Sequence, residues 1–453
     1  MAESLDPLSQ VEFSANPFEG FSKLSRLERY QRLAEMGALD QQDIHFLQSG
    51  GVKDFNLAEN LVENVIGYFQ LPLGVATNFR IDGQDRVIPM AVEETSIIAA
   101  ASKTAKWVRE NGEITTALEG REIIGQIQLA RVANWPHLQR VVEECSAQWV
   151  MEANQGVAQG LVQRGGGVRR IELRSVPRED EYGPMAVIHV YADACDAMGA
   201  NIINQVCEFL KGPIEAVTGE KVTMCILSNL VDSRITRAQV VLRGLDLELM
   251  EKIEEASLFA EKDPYRAATH NKGVLNGIDP ILIATGNDWR AVEAGVHAFA
   301  AREGRYKGVT RWWRQGAELM GEFRAPLILG VVGGVTRLHP AAQLSLKMLN
   351  VSGAEELSRI CAAVGLVQNL GALRALTTVG IIEGHMKLHI RNLSLGAGAS
   401  EVEMPFMQRR LEEILTLTRR VSLAQAIQVL TELRSSRKSD SKERPSTGAE
   451  TCN

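Results

Sequence analysis

The stretch "DPYRAATHNKGVLNGIDP" (263–280) sets Lys272 between Asn271 and Gly273, four residues before Asn276. An ammonium among small and amide residues is either a solvated surface charge or a working cation that a substrate approaches closely. Other places carry groups of comparable chemistry. "MAVEETSIIAAAS" (90–102) puts Glu93 and Glu94 at a strand end, with Ser96 ahead of a small apolar run. Neighbouring strand residues face opposite ways, so only one glutamate looks into a given cleft; the pair also reads as helix-start acids. "VYADACDAMGANIINQV" (190–206) joins a strand to a helix through Asp196, Met198, Gly199, Ala200 and Asn201. Such small residues let a pyrophosphate reach free backbone N–H groups, or they form a plain turn capped by Asp or Asn. "IATGNDWRAVEAG" (283–295) offers Asp288 as a charge or a helix cap, and "IIEGHMKLHIRN" (381–392) offers His385, with His389 one turn on.

Glycine patterns narrow the field. "LGVVGGVTRLHP" (329–340) has G-x-x-G-G after an apolar segment, and "GAGAS" (396–400) follows a helix. Neither is G-x-G-x-x-G, so a Rossmann fingerprint is absent. Six scattered cysteines (145, 195, 207, 225, 361, 452) form no C-x-x-C pair and read as reduced thiols. With no H-E-x-x-H and no companions for the His385/His389 pair, no metal site is expected.

The elements that must position these groups follow from periodicity. The chain has 453 residues, 45% hydrophobic and 23% charged, with net charge −7. That is a globular profile of two or three domains and argues against a nucleic-acid-coating surface. No apolar run approaches a membrane span, the acidic start is unlike a signal peptide, and a cytoplasmic protein is expected. "LSRLERYQRLAEMG" (24–37) reads as a helix with Ser25 and Glu28 spaced for a capping box. A helix at 57–67, strands "GVATNFRIDG" and "DRVIPMAVEE", and a helix from 95 to 111 follow. From 121 to 228 the pattern is strand, helix (137–163), strand, strand, helix (200–217), strand, a split βαβ layout. Helices are expected at 235–262, 289–302, 339–349 and 353–367, with strands near 309–332. Two amphipathic helices fill 401–433, and a charged, Ser-rich tail ends the chain.

"ENVIG" (63–67), "VEETS", "DAMGAN", "THNKG", "NGIDP", "ATGNDWRA", "VGGVTRLHP", "AVGLVQNLGALRAL" and "EGHM" occur together and in this order. Jointly, over roughly residues 20–435, the chain resembles the 3-hydroxy-3-methylglutaryl-coenzyme A reductase family in its class II bacterial form. The phosphorylatable serine that closely follows the histidine in animal enzymes is not seen: position 391 is Arg, and the nearest serine is Ser394.

The resemblance implies an α+β fold. A large, mainly helical substrate domain (1–119 and 229–380) would carry an inserted ferredoxin-like cofactor domain (120–228), a C-terminal helical flap (381–435) and a disordered tail (436–453). It implies NAD(P)H-dependent reduction of hydroxymethylglutaryl-CoA to mevalonate and coenzyme A, or the reverse. Glu94, Lys272, Asp288 and His385 match its catalytic residues. Asp196, Met198, Gly199, Ala200, Asn201 and Asn229 match cofactor positions, and Ser96, Arg266 and Asn276 substrate positions. The small apolar residues 97–101 suggest burial that would keep Glu94 protonated. NADH-using relatives can carry an Asp before the "GGG" turn that grips the ribose; here Val157 or Ala158 stands there and Arg164 is near, so NADPH is favoured slightly over NADH. The resemblance also implies a homodimer with a shared active site, possibly assembled into a hexamer. An acyl-CoA lyase or transferase, or a non-catalytic acyl-CoA sensor, is the alternative. The first calls for a nucleophile, for which Cys195 is the one candidate, and the second for loss of a catalytic group.

Overall fold

The computed structural model describes residues 16–378, 390–418 and 420–440. Two compact units are present: one holds the described chain to Glu93 together with Ile97–Arg374, and the other holds Glu94–Ser96 with the chain from Ala375.

The first unit opens with α1 (Arg26–Glu35), which starts as its sequence dictates. Ser25 N–H donates to Glu28 Oε2 (2.6 Å) and Glu28 N–H donates to Ser25 Oγ (3.4 Å). Asp40 and Asp43 repeat the device ahead of α2 (Gln41–Gln48). The helix expected over 57–67 is shorter and earlier, α3 (Phe55–Leu61). Asn64 at φ 56 lies in the left-handed region, which a continuing helix does not allow. β1 (Leu73–Ile81) and β2 (Gln84–Ala91) form a hairpin whose turn residues Asp82 and Gly83 both have positive φ, a turn matched to strand twist. Next come α4 (Ile97–Asn111) and β3 (Gly112–Glu119).

The chain then builds a second sheet from β4 (Glu122–Leu129), α5 (Trp135–Gln155), α6 (Gln159–Val162), β5 (Gly167–Val176), β6 (Met185–Asp193), α7 (Ala200–Thr218) and β7 (Met224–Ser228). Its order, β5-β6-β4-β7, is antiparallel throughout. This is the strand order of a split βαβ unit, with its own core around Ile127, Leu138, Ile188 and Val206. The single helix expected over 137–163 is broken at Gly156, whose ψ of −107 leaves the helical region.

The return strand β8 (Ile235–Leu242) corrects the expectation of a helix from 235. From Thr236 on, buried and half-buried residues alternate, the period of a strand, and the helix begins only at α8 (Leu247–Lys262). With β9 (Thr310–Gln315) and β10 (Glu318–Ala325), the larger sheet runs β2-β1-β3-β8-β10-β9, so the larger part holds six strands as well as helices. β3 pairs β8 as far as Glu119↔Ile235, so both connections to the four-stranded sheet leave from adjacent strands. α9 (Pro264–Ala284), α10 (Trp289–Ala301), α11 (Gly334–Leu338), α12 (Pro340–Leu349) and α13 (Ala354–Thr377) complete the unit. By length and hydropathy α13 would pass as a membrane span, contrary to the sequence expectation. It is a core helix, with 67% of its most apolar window buried.

The second unit packs α14 (Met404–Thr418) on α15 (Leu423–Asp440) around Met407, Leu411, Ala426 and Leu430. Ordered helix thus continues to Asp440, past the start of the expected tail. Glu403 joins the two helices by accepting from Ser400 N–H and from Arg434 Nε (both 2.8 Å).

A buried polar cluster fixes α9 in the core. Asn369 Oδ1 accepts from Thr310 Oγ1 (3.0 Å) and Trp312 Nε1 (2.9 Å), and its amide N–H donates to His270 Nδ1 (3.4 Å). Asn369→Ala strands two buried donors and is expected to lower stability by about 2–3 kcal/mol, read by urea denaturation.

Candidate active site

Lys272 is helical, in the middle of α9, and not on a loop. Its two predecessors set the helix's rotation. His270 is buried, and burial pushes its imidazole down to about 3, so it stays neutral. Because Thr310 donates its hydroxyl hydrogen to Asn369, the His270 ring must donate to Thr310 through Nε2. Asn271, fully buried, donates from Nδ2 to Lys307 O and accepts at Oδ1 from Val309 N–H, both 2.9 Å. With 270 and 271 turned inward, Lys272 is exposed and Gly273 and Asn276 are half-buried. A Cβ at Gly273 would meet no atom within 4 Å, so the helix surface at the next residue is open. Pro280 lacks the N–H that would close on the Asn276 carbonyl, freeing that oxygen inside a helix. Arg266, half-buried in the first turn, has its guanidinium pKa lowered by desolvation.

Three turns from distant parts of the sequence meet at one place. Val331 N–H donates to Asp196 O (2.9 Å), and Gly330 N–H donates to Asn287 Oδ1 (2.8 Å). Gly330 lies so close to the 196–198 turn that a Cβ would stand 2.7 Å from Met198 N. Asn287 is buried, and its neighbour Asp288 caps α10 through Oδ1, accepting from Arg290 N–H (3.1 Å), Ala291 N–H (3.2 Å) and Arg290 Nε (3.2 Å). "DAMGAN", "LGVVGG" and "ATGND" are therefore one structural cluster.

The "DAMGAN" turn does not end in an Asp or Asn cap. Gly199 is the N-cap of α7, at φ 88, with no side-chain hydrogen bond to the helix start. A Cβ there would lie 2.4 Å from Ile123 Cδ1, so both the φ and the space demand glycine. The nineteen-residue α7 thus presents an N-terminus without a side-chain cap, which fits a dinucleotide's pyrophosphate. Asp196 serves another helix, accepting Ala354 N–H at the start of α13 (3.0 Å). Beside α7 lies a cleft lined by Met198, Ala200, Asn229, Ala291, Val292 and Ile328. Asn201 is exposed. Cys195, at φ 55, is no activated nucleophile: burial, then Asp193, raises its thiol pKa. Val157 is half-buried, Ala158 is buried, and Arg164 stands beside Cys195, its carbonyl accepting from Sγ (3.6 Å).

Glu94 and Ser96 group with the second unit. Glu94 is exposed, so the burial expected from the neighbouring apolar run is not there. Ser96 has φ 78, and its buried Oγ has no hydrogen-bond partner. His385 and His389 lie outside the described residues, as does Cys452. Ser394 is fully buried, its hydroxyl donating to Ile390 O (2.8 Å). Among the described residues no cluster of three His, Cys, Asp or Glu would hold a metal. The sequence reading passed over Asn287, whose role depends on a turn 43 residues away. It also passed over Gly295, where a Cβ would lie 2.5 Å from Asn229 O. Only the glycine-rich spelling of both segments hinted at such close approach.

An α+β chain with an uncapped helix start facing an apolar cleft is a frame suited to a nucleotide-dependent enzyme. The sequence model of hydroxymethylglutaryl-coenzyme A reductase matches residues 25–390. The 3-hydroxy-3-methylglutaryl-coenzyme A reductase of Archaeoglobus fulgidus is 44% identical over 92% of this chain and 94% of its own length. A probable enzyme of that name from Borreliella burgdorferi is 34% identical over 86% and 89%. A solved structure of the Streptococcus pneumoniae reductase superposes with TM-score 0.77 at 38% identity, covering 92% of this chain and 99% of its own. Another, of the class II enzyme from that organism bound to NADPH in open conformations, gives TM-score 0.76 at 38% identity over 80% and 100%. The chain belongs to the hydroxymethylglutaryl-coenzyme A reductase family, in its bacterial form. Its activity is that family's oxidoreductase reaction, which acts on hydroxymethylglutaryl-CoA and mevalonate with a nicotinamide cofactor.

Proposed function

We propose that Glu94, Lys272, Asp288 and His385 carry the four-electron reduction of hydroxymethylglutaryl-CoA to mevalonate and coenzyme A, and equally its reverse. The observation that carries this reading is an exposed lysine followed by an unobstructed Gly273, on a helix locked by its buried neighbours His270 and Asn271. The nicotinamide, when bound, supplies one hydride to the thioester and, after exchange, a second to the aldehyde. As the thioester carbonyl becomes a hemithioacetal alkoxide, the Lys272 ammonium holds the oxygen's charge. Asp288 has engaged Oδ1 in the helix cap, which leaves Oδ2 to pair with the Lys272 ammonium. Glu94 passes a proton to the carbonyl oxygen. When the carbon–sulfur bond breaks, His385 protonates the departing thiolate, a task suited to an imidazole. The raised Cys195 thiol counts against a transferase acting through that nucleophile.

Arg266, Ser96 and Asn276 take the hydroxymethylglutaryl group: the guanidinium as a fork for its carboxylate, and the unpartnered Ser96 hydroxyl as a donor or acceptor awaiting a ligand. The turn Asp196–Asn201 and Asn229 take the cofactor, with phosphate oxygens at the α7 start and Met198 and Ala200 in the apolar cleft. The substrate domain is 1–119 with 229–380, the cofactor domain 120–228, and the flap 381–435. In support, the last range falls wholly within the second unit, and the cofactor range holds a separate sheet and core. Arg164 beside the cofactor turn, with Val157 and Ala158 in place of an acid, favours NADPH over NADH. The protein acts in the cytoplasm as a homodimer with a shared site. Support for the dimer is the apolar surface around "ENVIG", where Ile66 is 101% and Phe69 92% exposed.

Following nicotinamide absorbance, Lys272→Ala is expected to lower kcat roughly 10²- to 10³-fold, and His385→Ala to abolish coenzyme A release. Full turnover in Lys272→Ala refutes the assignment. The kcat/KM for NADPH is expected to exceed that for NADH and to fall in Arg164→Ala, whereas a strong NADH preference overturns the choice. In sedimentation the protein is expected at no less than twice the chain mass, and Ile66→Asp with Phe69→Asp at the chain mass; a monomeric wild type rejects the shared site.

A further inference from the structure

Two carboxyl groups that the reaction leaves unused meet inside the protein. Asp279 lies on α9 seven residues beyond Lys272, on the same helix face. Its Oδ1 is buried and receives no hydrogen bond from a donor. The side chain it engages is the carboxyl of Glu293, on α10 five residues after Asp288. The opposite flank of α9 is seated on α13 through glycines: a Cβ at Gly277 would lie 2.9 Å from Val364 O, and one at Gly365 2.8 Å from Ile278 Cγ1. The helix therefore cannot back away from that side without opening the core. Two ionised carboxylates in contact repel, so the hydrogen bond between them stands only while one holds a proton. The groups facing Asp279 are Glu293 from α10 and the fully buried Cys361 thiol from α13. Among the described residues, α4, α8, α12 and β2, which also pack on α9, contribute no charge there.

We propose that Asp279 and Glu293 share one proton and act as positioning residues, a clasp across the α9–α10 seam that fixes Lys272 against Asp288. This rests on the reading of Lys272 and Asp288 as the working pair. Burial, and after it the charge of Glu293, pushes the Asp279 carboxyl up to about 8. Its folded value is raised above the ordinary 3.8, so the stability it contributes is complete below that value and is lost as pH climbs to about 8. In the folded enzyme the clasp itself opens near pH 8, when its proton leaves.

The test pairs infrared spectroscopy with kcat profiles for the wild type, Asp279→Asn and Glu293→Gln. Asp279→Asn keeps an amide hydrogen bond but has no proton to lose, whereas Glu293→Gln leaves the buried Asp279 carboxyl without its neighbour's charge, so its proton leaves at lower pH. The wild type is expected to show a protonated-carboxyl carbonyl band at about pH 7 that vanishes by about pH 9, Asp279→Asn to lack that band, and Glu293→Gln to lose it at lower pH than the wild type. Over that range the wild-type kcat is expected to fall by up to about tenfold, the change in protonated fraction of one group titrating near 8, while Asp279→Asn stays within about twofold. Absence of the band at pH 7, an unshifted band in Glu293→Gln, or the same fall of kcat in Asp279→Asn overturns the proposal. Since the band is read without turnover, it stands or falls apart from the assignment of Lys272.

Discussion

The backbone of Gly330 and Val331 is held from both sides. One N–H goes to the Asn287 side chain and the next to the Asp196 carbonyl, while Gly330 presses on the Met198 amide. Much of the first unit follows from that wedge. It brings the return of the four-stranded sheet against the turn between α9 and α10, and no residue larger than glycine lets the main chains approach so closely. With Asp196 also capping α13, a single loop ties the four-stranded sheet to the longest core helix. The α7 start is therefore a platform already fixed by hydrogen bonds, and such preorganisation would save a ligand the cost of ordering it.

Charge is distributed by the same logic. The interior histidine near Lys272 is kept neutral by burial and satisfied by Thr310 and Asn369, so it steadies the helix without adding a charge of its own. Lysine, the residue suited to face an oxyanion, is the one left exposed. Cysteines show the converse: burial pushes the Cys207 thiol up to about 12 and leaves Cys195 raised, which keeps sulfur nucleophiles out of a thioester enzyme's own chemistry.

Much of this was legible in the residues. The capping box at Ser25 and Glu28, the hairpin at Asp82–Gly83 and the βαββαβ succession each follow from local rules, and each forms. The failures share a cause. "ITRAQVVL" stands only four residues before the helical "LELMEKIEEA" and reads as part of one helix with it; its alternation becomes decisive only when β3 and β10 flank it. β3 itself abuts α4 with no loop to announce it. Lys272 stood out by its company, but its helix did not, since Gly273, Gly277 and Pro280 are poor helix formers. Those residues are tolerated because tertiary packing on α13 outweighs propensity. The ties among Asn287, Gly330 and Asp196 span 43 to 135 residues and leave no local pattern beyond glycine itself.

The two crossings into the four-stranded sheet start at the paired ends Glu119 and Ile235. There Gly120 sits against the Ser233 carbonyl, and Ser233 Oγ donates to Glu122 O (2.8 Å). Topologically, β3 and β8 are already the two arms of a hairpin whose loop has swollen into a folded module. The larger sheet owes that module no ladder bond, so the module could be exchanged or reshaped at this doorway without rewriting the parent fold.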